Sequence, residues 1–407
     1  MSAELMRETN GIPTMNNMNI DQLFNQHFAD SPAGATTEKP VVVCAPGRVN
    51  LIGEHTDYND GFVFPMALDR VTTIAARRRT DTRVRIFSMM QDQMAEFTVD
   101  LEVAKAAPKW SLYARGAAEA LRQRGLIAHG MDALIHSDVP LGSGLSSSAA
   151  FEVATALALL TVNGRTLDGV ELAKACQWAE HHYAGMPCGI MDQFISVMGQ
   201  EGHALLLDCR DLSRRQVPLS DPNLRILVAN TNVKHELVQG EYQARRNQCR
   251  RAVEHLAKRY PQVKALRDVT LDMLESVRLG MDPMVFLRAT HVITENKRTT
   301  DFAAALEKND WITAGRLMYE SHRSLRDDYG VSCRELDVLV EIARSVPGVY
   351  GARMTGGGFG GCIVSLLPEK VVPLLEAAIA KDYPLQTNLK STYFVTRPSA
   401  GARVISR

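Results

Sequence analysis

The run Pro140-Leu141-Gly142-Ser143-Gly144-Leu145-Ser146-Ser147-Ser148-Ala149 decides how this chain is read. A strand pattern from Met131 to Ser137 leads into it. Behind it lies Ala149 to Val162, apolar on every side except Glu152, which predicts a buried helix. Glycines let successive backbone N–H groups turn inward, and a helix start adds its positive dipole end. Such a loop can cradle phosphate, with the serine hydroxyls as further donors or a Mg²⁺ ligand. The same residues also suit a serine N-cap packed tightly by small side chains. No G-x-x-x-x-G-K-[ST] occurs, nor an H-R-D or D-F-G arrangement, so neither a Walker loop nor a protein-kinase core is present.

Working outward from this loop, two further glycine-bearing segments stand out. Gly356-Gly357-Gly358-Phe359-Gly360-Gly361 contains G-x-G-x-x-G, but Cys362-Ile363-Val364 after it reads as a strand. A dinucleotide fingerprint must open a helix, so that reading fails. What remains is a strand–loop–strand that brings a ligand close to backbone, or a structural turn. On the other side, Ala45 to Gly61 packs Arg48, Glu54, His55 and Asp57 into ten positions. Carboxylates so spaced, with an imidazole beside them, can accept hydrogen bonds from sugar hydroxyls. Glu, His and Asp also suit a metal, but no further ligand stands at the required spacing.

The rest of the chain frames these segments. Residues 1–20 read as a polar, disordered tail, Asp21 to Ala29 as a short amphipathic helix, and Ser31 to Pro40 as a linker. Val41 starts a strand that runs into a turn at Ala45-Pro46-Gly47, and hairpin strands span Val71 to Val99. Helices are expected over 111–124, from Asp168 to His182, and near 189–198. Strands follow at 204–208 and 224–230, with a domain boundary between them. Long helical patterns occupy 235–259, 284–308, 311–326 and 333–345. Strand, loop and strand over 349–367, a helix near 370–382 and a final strand at 392–396 complete the chain. Strands and helices mix without regular βαβ alternation, which predicts α+β in two domains, 21–215 and 216–407.

Composition narrows the partners. Lys plus Arg and Asp plus Glu both number 46, so no basic excess exists to neutralise a nucleic acid. No apolar run approaches the ~18 residues of a membrane span, and the N-terminus lacks a signal-peptide core. Seven scattered cysteines without a C-x-x-C pair predict reduced thiols in the cytosol and no zinc site.

Taken in this order, the three segments resemble those of the galactokinase, homoserine kinase, mevalonate kinase and phosphomevalonate kinase superfamily. Gly47 to Tyr58 is similar to its galactokinase signature, Pro140 to Ala149 to its nucleotide-phosphate loop, and Gly356 to Gly361 to its third motif. Gly189-Ile190-Met191-Asp192-Gln193 resembles the catalytic-base segment. The resemblance runs from about residue 21 to the C-terminus. It implies an N-terminal domain like domain 2 of ribosomal protein S5, a ferredoxin-like C-terminal domain, and ATP between them. It implies phosphorylation of the anomeric hydroxyl of α-D-galactose by ATP, with Mg²⁺, in a cytoplasmic protein expected to be monomeric. Asp192 would be the base and Arg48 its partner. Glu54, His55, Thr56, Asp57, Gly189 and Tyr242 would bind the sugar. Gly142, Ser143, Gly144, Leu145, Ser146, Ser147 and Ser148 would hold the triphosphate, with Ser148 and Glu180 on the metal. Trp110 and Tyr113 either border the adenine or simply pack. N-acetylgalactosamine or arabinose as substrate, and a catalytically silent sugar sensor, are the competing readings.

Overall fold

A computed structural model describes residues 20–28, 34, 36–100, 108–219, 221–233 and 238–406. The expected tail at 1–19, most of the 29–35 segment and the start of the 235–259 helix lie outside the described residues.

The elements follow the chain as α1 (Ile20–Phe28), β1 (Val41–Asn50), β2 (Phe62–Val63), β3 (Pro65–Arg78), β4 (Arg83–Ser88) and β5 (Gln93–Thr98). Next come α2 (Ser111–Gln123), β6 (Met131–Ser137), α3 (Ser147–Val162), α4 (Gly169–Ala179), α5 (Met191–Met198), β7 (His203–Asp208) and β8 (Arg214–Pro218). The second half holds β9 (Leu224–Asn230), α6 (Val238–Ala257), α7 (Leu271–Glu275), α8 (Pro283–Glu307), α9 (Trp311–Ser324) and α10 (Arg334–Ser345). It ends with β10 (Gly351–Thr355), β11 (Cys362–Pro368), α11 (Val372–Thr387), β12 (Thr392–Thr396) and β13 (Arg403–Ser406). The α+β expectation holds.

A six-stranded sheet, ordered β13-β1-β3-β6-β4-β5, organises the first half. Alternation along its strands sorts side chains to two faces. Val43, Ile74 and Ile135 meet Val153 and Leu159 of α3 and Leu121 of α2. Val42, Ala75 and Leu134 point the other way, onto Phe24 and Phe28 of α1. In the second half a four-stranded antiparallel sheet, β10-β11-β9-β12, is covered on one face by α6, α8, α10 and α11. Its other face, Ile226, Val228, Val364 and Leu366, packs on Val49, Leu51 and Phe64 from the first half. That shared apolar layer brings the three glycine segments together.

Three expectations are corrected. The chain does not turn at Ala45-Pro46-Gly47. The strand β1 continues to Asn50, and its pairing with β3 shifts register between Pro46 and Arg48. Proline lacks the ladder donor and an irregularity absorbs that loss. Second, β8 was unexpected, because its sequence is polar and only Val217 is buried. Third, Thr392–Thr396 is not the last strand. Residues 403–406 return to pair with β1, so the expected 216–407 unit is crossed by the chain's own end.

Candidate active site

The register shift in β1 sets the site. At Gly47 a Cβ would lie 2.7 Å from the Leu145 carbonyl and from Val139, so only glycine lets this strand touch the Gly/Ser loop. The next residue, Arg48, donates its backbone N–H to Leu145 O at 3.0 Å. Its guanidinium then forks onto Asp192, Nε to Oδ1 at 2.7 Å and Nη2 to Oδ2 at 2.6 Å, while Nη1 donates to Gly144 O at 2.6 Å. Burial alone would lower the pKa of Arg48; the carboxylate of Asp192 outweighs it and the pKa rises. Asp192 opens α5 beside a third donor, the Ser146 hydroxyl. Ser146 stands at the N-cap of α3 in the left-handed region, φ 57°, and spends its hydroxyl on Asp192 instead of the helix.

Asp57 lies across from this fork. A Cβ at Gly189 would overlap the Asp57 carboxylate, so Gly189 contributes by having none. Burial, then the nearby Asp192, push Asp57 up to about 7. His55 is 5% exposed and also left-handed, φ 64°. Its Nδ1 meets the Tyr58 hydroxyl at 2.7 Å, and its Nε2 is buried without a hydrogen-bond partner. Burial, with His291 next in weight, lowers its pKa to about 3, so the imidazole is neutral. The Tyr242 ring from α6 lies 5.7 Å from His55 and 5.3 Å from Tyr58. Asp57, His55, Gly189, Tyr242, Arg48 and Asp192 therefore share one pocket, drawn from three separate parts of the chain.

The Gly/Ser loop divides. Gly142 and Gly144 are exposed with φ of +66° and +76°, and Ser146, Ser147 and Ser148 are half-buried. Two members of the expected set turn inward. Ser143 donates its hydroxyl to Pro140 O at 2.7 Å, and Leu145 is core. Either could meet a phosphate through its backbone alone. The Ser148 hydroxyl reaches Glu180, which sits in a π-turn after α4 and also accepts from Gln193 Nε2 at 2.5 Å. Burial and Asp192 raise Glu180 to about 7. One hydroxyl and one carboxylate are hard oxygen donors of the kind Mg²⁺ takes when phosphates and waters complete its shell.

The Gly356–Gly361 segment approaches another loop. A Cβ at Gly356 or Gly361 would lie 2.9 Å from the carbonyl of Gly144 or Ser143, respectively. Glycine here allows two backbones to touch.

Two further expected residues are placed differently. Thr56 is fully buried and spends its hydroxyl on the carbonyls of Gly53 (2.8 Å) and Phe62 (2.6 Å). It closes its own loop, and its side chain does not face the pocket. Glu54 is 2% exposed. Its Oε1 accepts from the Gly356 amide (2.7 Å) and Thr355 Oγ1 (3.2 Å), its Oε2 from Asn50 Nδ2 (2.5 Å) and the guanidinium of Arg353 (2.8 Å). Three protein donors hold the carboxylate, and the single Thr355 hydroxyl proton is shared between it and the Asn50 carbonyl at 3.0 Å. Trp110 packs near Phe151 and donates to Gln93, whereas Tyr113 faces Glu180 and Glu152.

Comparison with known proteins follows the same segments. Residues 22–78 match the galactokinase galactose-binding signature, 112–200 the GHMP kinases N terminal domain, and 302–385 the GHMP kinases C terminal model. A galactokinase of Roseiflexus sp. is 47% identical over 94% of this chain and 95% of its own length.

The chain belongs to the galactokinase family.

The Homo sapiens galactokinase is likewise 47% identical over 90% of this chain and 93% of its own. Among solved structures, Lactococcus lactis galactokinase complexed with galactose aligns with a TM-score of 0.88 at 32% identity, covering 94% of this chain and 98% of that one. A Methanococcus jannaschii mevalonate kinase, TM-score 0.65 at 18% identity, shares the fold alone. Sequence reasoning missed Arg353, Glu295, Tyr58 and Tyr329 in this galactokinase-family site. Arg353 was the discoverable one: a charged residue in a short strand just before the glycine run. Among the described residues, no helix is long and apolar enough to cross a membrane.

Proposed function

We propose that the chain transfers the γ-phosphoryl group of ATP to the anomeric hydroxyl of α-D-galactose, giving galactose 1-phosphate and ADP. The observation that carries this reading is the Arg48–Asp192 fork, facing the Asp57–His55–Tyr242 pocket on one side and the Gly/Ser loop on the other. Phosphoryl transfer asks a protein mainly for positioning and charge stabilisation. Asp192 accepts the proton of the sugar hydroxyl. Arg48 holds that carboxylate in place and offers positive charge to the transferring group. Asp57 and the neutral His55 read hydroxyls, Tyr242 covers the ring, and Gly189 leaves room for Asp57. Glu54 supports the same pocket, since any sugar hydroxyl reaching it competes with the Gly356 amide, Asn50 and Arg353. Backbone amides of 142–148 and the α3 N-terminus receive phosphate oxygens. Ser148 and Glu180 would hold Mg²⁺, which neutralises phosphate charge when bound. The sheet order β10-β11-β9-β12, with helices α6 to α10 between β9 and β10 and α11 between β11 and β12, supports a ferredoxin-like second domain. An S5-like first domain is part of the same proposal.

ADP release with a sugar panel tests this directly. Galactose should turn over and glucose should be poor, because a C4 epimer leaves a buried acceptor unpaired, a penalty of about 1–3 kcal/mol or more for a charged group. Equal turnover of both sugars overturns the sugar assignment. A protein that binds galactose and ATP and never releases ADP is a sensor instead.

A further inference from the structure

A cavity of about 520 Å³ opens on the outer face of α9, and none of its lining residues belongs to the catalytic pocket. Its volume falls within the roughly 300–1,000 Å³ typical of small-molecule sites. Four arginines line it, Arg316, Arg323, Arg326 and Arg344, against a single acid, Glu320. Carboxylates stand beside three of them, Glu320, Asp327 and Glu341, so what distinguishes the cavity is its set of guanidinium forks and not its net charge.

Those guanidiniums are weakly held. Arg316 pairs with Glu320, Arg326 with Asp327 and Arg344 with Glu341, all as near neighbours in sequence with 32–59% of the side chains exposed. Exposed pairs of this kind contribute about 0–1 kcal/mol, so a multivalent anion can displace them. Arg323 has no ion-pair or hydrogen-bond partner among the described residues. Arg344 stacks over the Tyr319 ring at 4.5 Å, which holds its fork in one plane. The Tyr319 hydroxyl oxygen is buried and unpartnered, although buried polar groups ordinarily find a partner. The floor is rigid. His322 is 2% exposed, bonded to Asp337 at 3.1 Å through Nε2, and accepts the Met354 amide at 3.3 Å through Nδ1.

We propose that this cavity is a second binding site, taking a small phosphorylated metabolite through its arginine forks and the Tyr319 hydroxyl. Guanidinium forks match phosphate oxygens two at a time. A concave site of this volume suits a single sugar phosphate.

The test uses the full chain with saturating galactose and ADP, so that the catalytic pocket is occupied. Glucose 6-phosphate is titrated calorimetrically at constant ionic strength, with glucose and citrate as parallel probes. One equivalent of glucose 6-phosphate should bind, glucose should not, and citrate should bind more weakly. The double variant Arg316→Ala/Arg323→Ala should weaken that binding at least tenfold. Its galactose turnover without the probe should match wild type, because these side chains are exposed and outside the pocket of Arg48 and Asp192. Absence of binding at millimolar probe, equal binding to the double variant, or loss of binding whenever galactose and ADP are present would each overturn the site. Equal or tighter citrate binding would overturn its assignment to phosphate.

Discussion

Two arginine–carboxylate pairs lie on either side of the same loops, and they are built for opposite ends. Arg48 and Asp192 meet at 2.6 and 2.7 Å, yet 23% of the Asp192 side chain remains exposed. Arg353 and Glu54 meet at 2.8 Å with 0% and 2% exposed. Arg353 Nε also donates to Ser321 and its Nη1 to the Asn50 carbonyl, while Glu295 lies 3.9 Å from Nη2. Glu295 in turn accepts from the Gly53 amide. Burial would raise the pKa of Glu295, but Arg298, His291 and Arg353 outweigh it and pull the carboxyl down to about 2. The inner pair is closed off from solvent, and its bonds tie segments 50–54 and 355–356 together. The outer pair keeps one side open to solvent, as the proposed proton acceptor and its partner require. In the proposed reaction the exposed fork acts on the ligand, and the buried pair holds the segments around it.

Substitutions in the outer pair should therefore remove turnover and spare the fold. Asp192→Asn keeps the shape and loses the proton acceptor; general-base contributions are ~10²–10⁴-fold, so kcat should fall at least about 10²-fold. Galactose should still bind by calorimetry. Turnover within a few-fold of wild type, with normal binding, would show that positioning by Arg48 suffices and that Asp192 is no base. Arg48→Lys should be nearly as damaging, since an ammonium cannot span Asp192 and the Gly144 carbonyl together. A Lys variant that retained most of its kcat would mean the fork geometry is not used.

The inner pair should respond in the reverse way. Arg353→Met strands the buried Glu54, and breaking a buried pair typically costs ~3–5 kcal/mol. The denaturant midpoint should drop sharply. Adding Glu54→Gln should recover part of that loss, because the uncompensated charge is gone. If Arg353→Met unfolds at the wild-type midpoint and only kcat falls, the inner pair belongs to the chemistry and the contrast collapses.

How much of this was legible in one sequence follows from the range of each interaction. The apolar run 149–162 and the 131–137 strand announce themselves by their apolar content, and both stand where expected. Arg48 and Asp192 are 144 residues apart, and no local pattern joins them; only resemblance to a family paired them in advance. Thr56 was misread because its neighbours Glu54, His55 and Asp57 are polar, whereas its own hydroxyl is consumed by Gly53 and Phe62. Polarity in a motif does not reveal which way a side chain faces. Arg353 escaped for the opposite reason, its partners being about 30, 60 and 300 residues away. The return of β13 to β1 is equally non-local, and its short sequence carries no sign of the partner.

The smallest expected effect concerns Asp57, which stands between the two extremes: near the open fork, yet largely withdrawn from water. Its carboxyl is raised from 3.8 to about 7 by burial and by Asp192. A folded-state pKa above the unfolded one means the stabilising, protonated form is fully present below about pH 4. It is lost as pH rises through about 7. Asp57→Asn removes that penalty, so the variant should melt above wild type at pH 8 and with it at pH 4. The gain should show as a rise in Tm at pH 8, at roughly 2–4 °C per kcal/mol for domains of 150–250 residues. The same substitution should raise KM for galactose, because an amide NH₂ replaces one acceptor oxygen facing the sugar hydroxyls. Melting curves at the two pH values, with galactose KM beside them, decide the matter. A variant less stable than wild type at pH 8 would show that Asp57 is held ionised by its surroundings and belongs with Glu295, in the closed-off half of the comparison.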